Sequence, residues 1–351
     1  MSLATTKHVT TTTTSAGKQC IVRSTTTADP VLKGIWWSNM TTLGWDRSWY
    51  DLESYLACTH SRGFMLPYES ETGPPRGHVM GTVFDNQTGW VAMFIMASEL
   101  RRSGFGRVIF QCAMDDFRTQ QTKYAGLDGV LEQVPTYERR GFQTSPLGVV
   151  KHMSRGFAKP PLSPFSNPDG MIFKDAKLVE PAWIVAFEKT VTGFERGRLW
   201  TSEYFARPDV RGVVGLDTSR TGPESVVAFV VVRRCPSGAR LGPLYARDAD
   251  CSETTMAAGL RLATPEFVKA CALPGTELGE LSEEEIATKA KINAEIWTGN
   301  AGAEPLFEKF GWQNDNLQYA RMWLDGKATP EQSEGGAAHR TMFSVYDAAI
   351  G

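Results

Sequence analysis

The sequence predicts an α/β (α+β) protein made of two similar units in tandem, and three observations lead to this prediction. The chain has 351 residues, which suits two domains of about 150 residues better than one. Short apolar strands alternate with helical patterns in both halves. A stretch with four prolines, at 157–170, separates the halves and is typical of a linker.

The composition excludes several classes of protein. Charged residues make up 22% of the chain and the formal net charge is −2, so nothing indicates a nucleic-acid-binding surface. The longest apolar run, Val226–Val232, is far shorter than the roughly 20 residues of a membrane span. The six cysteines are scattered without a C-x-x-C pair, which argues against a metal site and indicates a reducing, cytoplasmic location.

Local patterns divide the chain into predicted segments. We expect a disordered Thr/Ser-rich tail at 1–17, a first domain at 18–156 and a second domain at 171–351. In the first half the patterns predict strands at Gln19–Ser24, Gly63–Pro67, His78–Phe84, Trp90–Met96 and Tyr124–Asp128, and helices at Asp29–Asn39, Trp49–Cys58, Gly104–Phe117 and Pro135–Arg140. In the second half they predict helices at Ala182–Thr190, Ser252–Leu262 and Glu304–Phe310, strands at Val226–Arg233, Ala239–Tyr245 and Ile292–Trp297, and a polar insertion at Leu273–Lys289.

One short pattern occurs in both halves. Tyr137–Phe142 and Phe307–Trp312 each contain an aromatic residue, a short helix end, a glycine and a second aromatic residue. The two copies lie about half a chain length apart, and the same strand, helix, strand order precedes each of them. This spacing predicts an internal duplication.

The segment 89–107 carries the clearest chemical signal. An apolar strand runs directly into the pattern Arg-x-x-Gly-x-Gly at Arg101–Gly106, and an apolar helix follows. The glycines allow consecutive N–H groups to converge, and the helix start adds free N–H groups and the positive end of its dipole. The pattern predicts a pyrophosphate site, to which Arg101, Arg102 and Arg107 add positive charge. A plain strand-to-helix turn is the alternative.

Two other phosphate-binding loops do not fit this sequence. The pattern G-x-x-x-x-G-K-[S/T] of nucleotide triphosphatases does not occur. A dinucleotide-binding loop needs three glycines near the start of its domain, whereas this segment has two glycines far into the first half.

The loop and Tyr137–Phe142, about 30 residues later, together resemble the GCN5-related N-acetyltransferase (GNAT) superfamily. The chain resembles a tandem form whose second domain is a divergent copy, and the match is best from Gln19 to Phe142. The resemblance implies two acetyltransferase-like domains, each a mixed, centrally splayed β-sheet flanked by helices. It also implies transfer of an acyl group from acetyl-CoA, or another acyl-CoA, to a small-molecule amine, without a metal.

The same resemblance assigns roles to individual residues. The backbone of 102–107 would bind the coenzyme A pyrophosphate, the pantetheine arm would pair with the strand near Phe94 and Met96, and Tyr137 would protonate the leaving thiolate. The implied cofactor-binding residues are Phe94, Met96, Arg101, Arg102, Ser103, Gly104, Phe105, Gly106 and Arg107.

A proton acceptor for the attacking amine is also expected near the strand ends. Asp128 ranks first among the carboxylates there, ahead of Glu99 and Glu132. Each catalytic candidate has an ordinary alternative. Tyr137 could only pack its ring, and Asp128 could cap a turn. Glu99 could be a charge that favours the dipole at a helix N-terminus, and Glu132 could be a solvated surface charge.

The second half departs from the residue pattern of the GNAT superfamily, and so does part of the first half. Leu244–Thr255, at the place of the loop, has no glycine pair and two aspartates, and Phe307 replaces the tyrosine. We therefore expect one coenzyme site per chain, with the second half walling the acceptor pocket or stabilising the first. In the first half, Val130 stands where the family has an asparagine.

We expect a monomer with its two domains paired within the chain, and no nucleic-acid or membrane partner. Transfer to a hydroxyl, other acyl-CoA thioester chemistry, and non-catalytic acyl-CoA sensing remain alternative functions.

Overall fold

The computed structural model describes residues 8–59, 62–157, 166–273 and 276–351. The strands of the first half are β1 (Val9–Thr13), β2 (Gln19–Thr25), β3 (Gly63–Tyr68), β4 (Gly77–Val83), β5 (Thr88–Met96), β6 (Tyr124–Val130) and β7 (Phe142–Gly156). Its helices are α1 (Pro30–Thr42), α2 (Asp51–Ala57), α3 (Phe105–Thr119) and α4 (Val134–Glu138).

The second half contains the remaining elements. Its strands are β8 (Met171–Asp175), β9 (Val210–Asp217), β10 (Val226–Cys235), β11 (Gly238–Ala246), β12 (Lys291–Trp297), β13 (Gln313–Leu324) and β14 (Met342–Ser344). Its helices are α5 (Pro181–Thr192), α6 (Ser202–Ala206), α7 (Ala249–Leu262), α8 (Pro265–Ala270), α9 (Glu283–Lys289), α10 (Ala303–Lys309) and α11 (Ala338–Thr341).

The order of elements repeats, which confirms the predicted mixed α/β class. From β2 to β7 the chain forms a strand, two helices, three antiparallel strands, a helix, a strand, a helix and a strand. From β8 to β13 it forms the same series, with α8 and α9 added before β12. All strands of the described residues join one sheet in the order β1-β2-β3-β4-β5-β6-β13-β7-β12-β14-β11-β10-β9-β8.

The two units exchange their last strands. Strand β13 lies between β6 and β7 and is antiparallel to both, with Tyr319 opposite Val130 on one side and Val150 on the other. Strand β7 in turn pairs antiparallel with β12, with Ile292 opposite Arg155. The two halves therefore share one continuous sheet, although the sequence predicts separate domains on either side of 157–170. Residues 158–165 of that predicted linker lie outside the described residues.

Each unit has a splayed pair of parallel strands. Strands β5 and β6 pair only through 88–90 and 124–126 in the described structure, and beyond these residues they diverge. Strands β11 and β12 pair in the same way through 238–241 and 291–294, but there β14 enters the gap, with Ser344 opposite both neighbours. A similar gap therefore forms twice, and in the second unit a strand of the chain itself fills it.

The N-terminal segment differs from the prediction. Disorder is expected over 1–17, but Val9–Thr13 form β1, in which Val9 lies opposite Arg23 of β2. β-branched threonines favour strands even in a polar segment, so the low hydrophobicity was a misleading signal. Residues 1–7 lie outside the described residues.

The segment predicted as a polar insertion, 273–289, contains helix α9. Ser282 and Glu285 form a capping box at the start of this helix. Ile286 packs with Val268 and Ala290 in a small separate apolar cluster. Residues 274–275 lie outside the described residues.

A buried network of charged side chains joins the two halves. Arg47 Nη2 donates to Glu295 Oε1 at 3.2 Å, and Arg233 Nη1 donates to Asp51 Oδ1 at 2.8 Å. The Tyr55 hydroxyl donates to Asp347 Oδ2 at 3.0 Å. We call this set the central network; its charged members are Arg47, Asp51, Arg233, Arg240, Glu295 and Asp347.

Within the described ranges, no helix combines the length and the apolar composition that a membrane crossing requires. The same residues contain no group of three His, Cys, Asp or Glu side chains arranged to hold a metal ion.

Candidate active site

The gap between β5 and β6 opens into a cavity of about 650 Å³. Its walls come from both strands, from the loop before α3, from α4, and from residues 43–47 after α1. Tyr319, Ala348 and Ala349 of the second half also line it, so both halves build the site. Most of the site residues that were assigned from the sequence line this cavity; they are Phe94, Met96, Arg101, Arg102, Gly104, Gly106, Arg107, Asp128 and Tyr137.

The loop before α3 has the geometry of an anion site. Arg102 (φ 64°) and Gly104 (φ 91°) adopt left-handed conformations that turn the chain sharply into the helix. Gly104 occupies the N-cap and no side chain caps this helix. The amides of the first turn, including those of Phe105 and Gly106, are therefore free of a side-chain acceptor. The Ser103 hydroxyl donates to Leu100 O at 2.5 Å, which ties the loop together.

The N-terminal hairpin covers one side of this loop. A Cβ atom on Gly104 would lie 2.9 Å from Thr14 Cβ and 2.9 Å from Ser15 Oγ. A Cβ atom on Gly106 would lie 3.1 Å from the Phe94 ring on the other side. A side chain at either glycine would therefore crowd its neighbours, and Gly104 is in addition held in a left-handed conformation. The sequence did not predict this packing of Thr14 and Ser15 against the loop, because residues 1–17 are expected to form a disordered tail.

A bulge in β5 directs its backbone into the cavity. The register with β4 shifts between His78 and Met80, and Met93 has φ 52°. His78 Nδ1 donates to Met93 O at 2.7 Å, and His78 Nε2 accepts from Asn39 Nδ2 at 3.0 Å. Burial lowers the pKa of His78 to about 4, so the ring is neutral at pH 7 and can make both bonds. Only the three-dimensional structure shows this role of His78.

Tyr137 lines the cavity and packs against α3 and β6. A Cβ atom on Gly129 would lie 2.7 Å from Tyr137 Cε2, so the glycine makes room for the ring. Phe110 flanks the ring at 6.1 Å between centroids. Burial raises the pKa of Tyr137 to about 12, although Arg140 opposes the shift. The hydroxyl therefore stays protonated at neutral pH, as a proton donor requires.

The carboxylates proposed as proton acceptors are not free. Asp128 is fully buried, and its two oxygens accept from Arg321 Nε and Nη2 at 2.9 and 2.7 Å. This two-point ion pair argues against Asp128 as a general base. Glu99 is 55% exposed, pairs with Arg76, and does not line the cavity. Glu132 is exposed and also lies outside the lining.

The corresponding site of the second unit is filled. Asp248 caps α7, and its Oδ1 accepts from Cys251 N at 2.8 Å, where the first unit has the uncapped Gly104. Strand β14 occupies the gap between β11 and β12. Phe307, at the place of Tyr137, is buried in the core. Among the described residues, the second unit therefore lacks the open strand gap and the uncapped helix start that the first unit has.

Comparisons with known proteins agree with this geometry. Residues 32–142 match the model of the acetyltransferase (GNAT) family. The holothin acyltransferase of Pseudoalteromonas sp. (strain SANK 73390) is 25% identical over 208 residues, which are 58% of this chain and 63% of that protein. The chain thus spans less than two thirds of the length of this curated relative.

Two solved structures share the fold over nearly the whole chain. A candidate acetyltransferase from Pyrococcus horikoshii superposes with a TM-score of 0.64 at 15% identity, covering 95% of this chain and 96% of that one. A tandem GNAT protein from the clavulanic acid biosynthesis pathway superposes with a TM-score of 0.54 at 13% identity, covering 92% of this chain and 99% of that one. These matches confirm the expected fold, and the match to the GNAT family model covers residues 32–142, which is about a third of the chain.

Proposed function

We propose that the chain is an acyl-CoA-dependent N-acyltransferase that uses acetyl-CoA and transfers the acyl group to a small-molecule amine. The observation that carries the proposal is the uncapped start of α3 at one end of the open β5–β6 gap. Free amides and a helix dipole suit a diphosphate, and the gap suits an extended pantetheine arm. The same gap in the second unit is filled, so the proposal is limited to one site.

The side chains support direct transfer. The amine attacks the thioester carbonyl, and a backbone N–H beside the Met93 bulge stabilises the oxyanion. The C–S bond then breaks, and protonated Tyr137 gives its proton to the leaving thiolate. The amine nitrogen releases its proton to water, and Tyr137 regains a proton from water. A hydroxyl acceptor would need a base to activate it, and the described lining offers no carboxylate other than the paired Asp128. This favours an amine over a hydroxyl.

A second cleft shares Arg107, Arg139 and Arg140 with this cavity. It has a volume of about 1050 Å³ and lies beside α3 and α4. Its basic side chains outnumber its one acidic side chain, Asp325; they are Arg107, Arg118, Lys123, Arg139, Arg140 and Lys327. This charge favours a phosphorylated ligand.

The loop assignment can be tested with Gly104→Ala. Alanine is strained at φ 91° by roughly 1–2 kcal/mol, and its Cβ meets Thr14 at 2.9 Å, so the loop must distort. We expect acetyl-CoA affinity, measured by titration calorimetry, to fall by about tenfold or more. Gly335→Ala is the matched control, because Gly335 has φ 74° and open space around it. Unchanged affinity in Gly104→Ala would discredit the loop.

The activity itself can be tested by thiol release from acetyl-CoA in the presence of candidate amines. Release that depends on the amine supports the transferase. Coenzyme binding without thiol release for any amine would indicate a sensor, and no binding at all would refute the proposal.

A further inference from the structure

The tip of the N-terminal hairpin, between β1 and β2, is a tight turn. Gly17 N donates to Thr14 O at 2.9 Å, and Lys18 N donates to Thr14 Oγ1 at 3.2 Å. Gly17 has φ 76°, a left-handed conformation that glycine adopts without strain. Ser15 occupies a central position of this turn and is exposed. The hairpin therefore presents a serine hydroxyl at its tip.

The apolar core fixes the position of this tip relative to α3. Strand β1 pairs with β2, which pairs in turn with β3. Cys20 and Val22 of β2 are buried in the same apolar core as Phe105 and Ile109 of α3. Thr14, which precedes Ser15, is only 5% exposed. The tip thus belongs to the packed structure, at a defined place beside the start of α3.

Ser15 lies next to the loop that precedes α3. A Cβ atom on Gly104 would lie 2.9 Å from Ser15 Oγ and 3.2 Å from Ser15 N. Ser15 also lines the same cavity as Arg101 and Arg102. The uncapped amides of α3 begin at the residue after Gly104, which is Phe105. An anion bound to these amides would therefore have an oxygen atom within reach of the Ser15 hydroxyl.

The charges around the tip suit an anionic ligand. Residues 9–25 contain no acidic side chain, and Lys18 follows the turn directly. The loop adds three arginines, and its one carboxylate, that of Glu99, is paired with Arg76. A hydroxyl can donate to a phosphate oxygen, and a hydrogen bond to a charged acceptor is stronger than one between neutral groups. A diphosphate has enough oxygen atoms to accept from the α3 amides and from the hairpin together.

We propose that Ser15 is a coenzyme-binding residue, whose hydroxyl donates a hydrogen bond to the diphosphate of the acyl-CoA. The hairpin tip and the start of α3 then hold this group between them. The inference rests on the proposed function and adds a binding residue that lies before the stretch 32–142 matched by the family model. A hairpin that only covers the loop is the alternative, and it makes coenzyme affinity independent of the hydroxyl.

Titration calorimetry of the full chain with acetyl-CoA tests the hydroxyl. In Ser15→Ala the Kd should rise about tenfold, because a hydrogen bond to a charged group is lost. Thr11→Ala is the matched control, since Thr11 is exposed on the same hairpin, opposite Ile21, and does not line the cavity. Its Kd should equal that of the unmodified chain. An unchanged Kd in Ser15→Ala would overturn the inference.

Ser15→Asp and Ser15→Asn separate charge from shape. The two side chains have nearly the same shape, but only the carboxylate repels a diphosphate. At about 0.15 M salt the Kd of the Asp variant should exceed that of the Asn variant by about tenfold, and this ratio should shrink at about 1 M salt. Thr11→Asp adds the same charge about 13 Å away along the strand, beyond the screening length, and should leave the Kd unchanged. Equal Kd values for the Asp and Asn variants would show that no diphosphate lies beside Ser15.

The possible failures can be told apart. An unmodified chain that binds no acetyl-CoA refutes the proposed function and the inference with it. Binding that is insensitive to every change at Ser15 refutes the inference alone. Melting curves without ligand show whether a variant is folded, and exposed Ser15 and Thr11 should both tolerate replacement. Should Ser15→Ala lower the melting temperature of the free chain, the comparison of Asp with Asn still decides.

Discussion

At the scale of single residues, the structure separates side chains that can react from those that hold them in place. Tyr137 keeps its proton and lies on the cavity, whereas Asp128 is fully paired with Arg321. Both residues are catalytic candidates in the sequence analysis. Their difference depends on Arg321, which lies in the other half of the chain and reaches Asp128 only through strand exchange.

Tyr137→Phe should lower kcat by roughly 10²–10⁴-fold while leaving the Kd for acetyl-CoA unchanged. The ring packing against Gly129 and Phe110 is retained, and only the proton donor is lost. Steady-state kinetics and calorimetry measure the two quantities. Tyr124→Phe serves as a control outside the cavity lining. A kcat equal to that of the unmodified chain would leave Tyr137 with a packing role alone.

His78 is a positioning residue, since it acts through the Met93 carbonyl and touches no ligand site directly. His78→Leu should lower kcat because the β5 bulge loses its support. His78→Gln should restore much of the rate, since an amide can donate to Met93 O and accept from Asn39 Nδ2. Equal rates in the two variants would contradict a positioning role.

The lowered pKa of His78 predicts that the stability of the folded chain depends on pH. Its pKa is about 4 in the folded state and near 6.5 when unfolded, so the unfolded chain binds more protons between these values. The free energy of unfolding should therefore fall by about 3 kcal/mol as the pH drops from 6.5 to 4. Urea unfolding at several pH values measures this. His78→Gln should flatten that part of the profile, and an identical slope in both proteins would show that other groups cause it.

At the scale of elements, local sequence signals predict the helices and their caps but do not predict which strands pair. The apolar spacing of α3 and the cap at Asp29 lie within a few residues, so the sequence predicts them well. The exchanged strands β7 and β13 pair across more than a hundred residues, and no local periodicity encodes the partner. Tyr319 reaches the site by this exchange, which is why sequence reasoning missed it.

The filled gap of the second unit predicts the binding stoichiometry. Asp248 is the acceptor at the start of α7, where the proposed site of the first unit would hold a phosphate, and β14 lies where that site would hold a pantetheine arm. Acetyl-CoA should bind at one site per chain in calorimetry. Asp248→Ala should destabilise the protein by about 1 kcal/mol without creating a second site, because β14 still fills the gap. Two binding sites, in either protein, would contradict this view of the second unit.

At the scale of the whole molecule, the central network makes folding and the active site interdependent. Glu295 accepts from Arg47 on one side, and its Oε2 accepts from Ala348 N at 2.5 Å on the other. The Ala348 carbonyl in turn accepts from Trp90 Nε1 at 3.0 Å. The segment 348–349, which lines the cavity, is thus fixed by a carboxylate of the second half and a tryptophan of the first.

Glu295→Gln should therefore destabilise the whole chain by about 3–5 kcal/mol, because it leaves the buried cations Arg47 and Arg240 without their shared carboxylate. Glu304→Gln is the matched control, since its pair with Lys151 is partly exposed and should contribute at most about 1 kcal/mol. Because the halves share strands, both variants should unfold in one transition, seen alike by tryptophan fluorescence and circular dichroism. Two separate transitions, with only one of them shifted by Glu295→Gln, would contradict this prediction. They would show that the two halves fold independently.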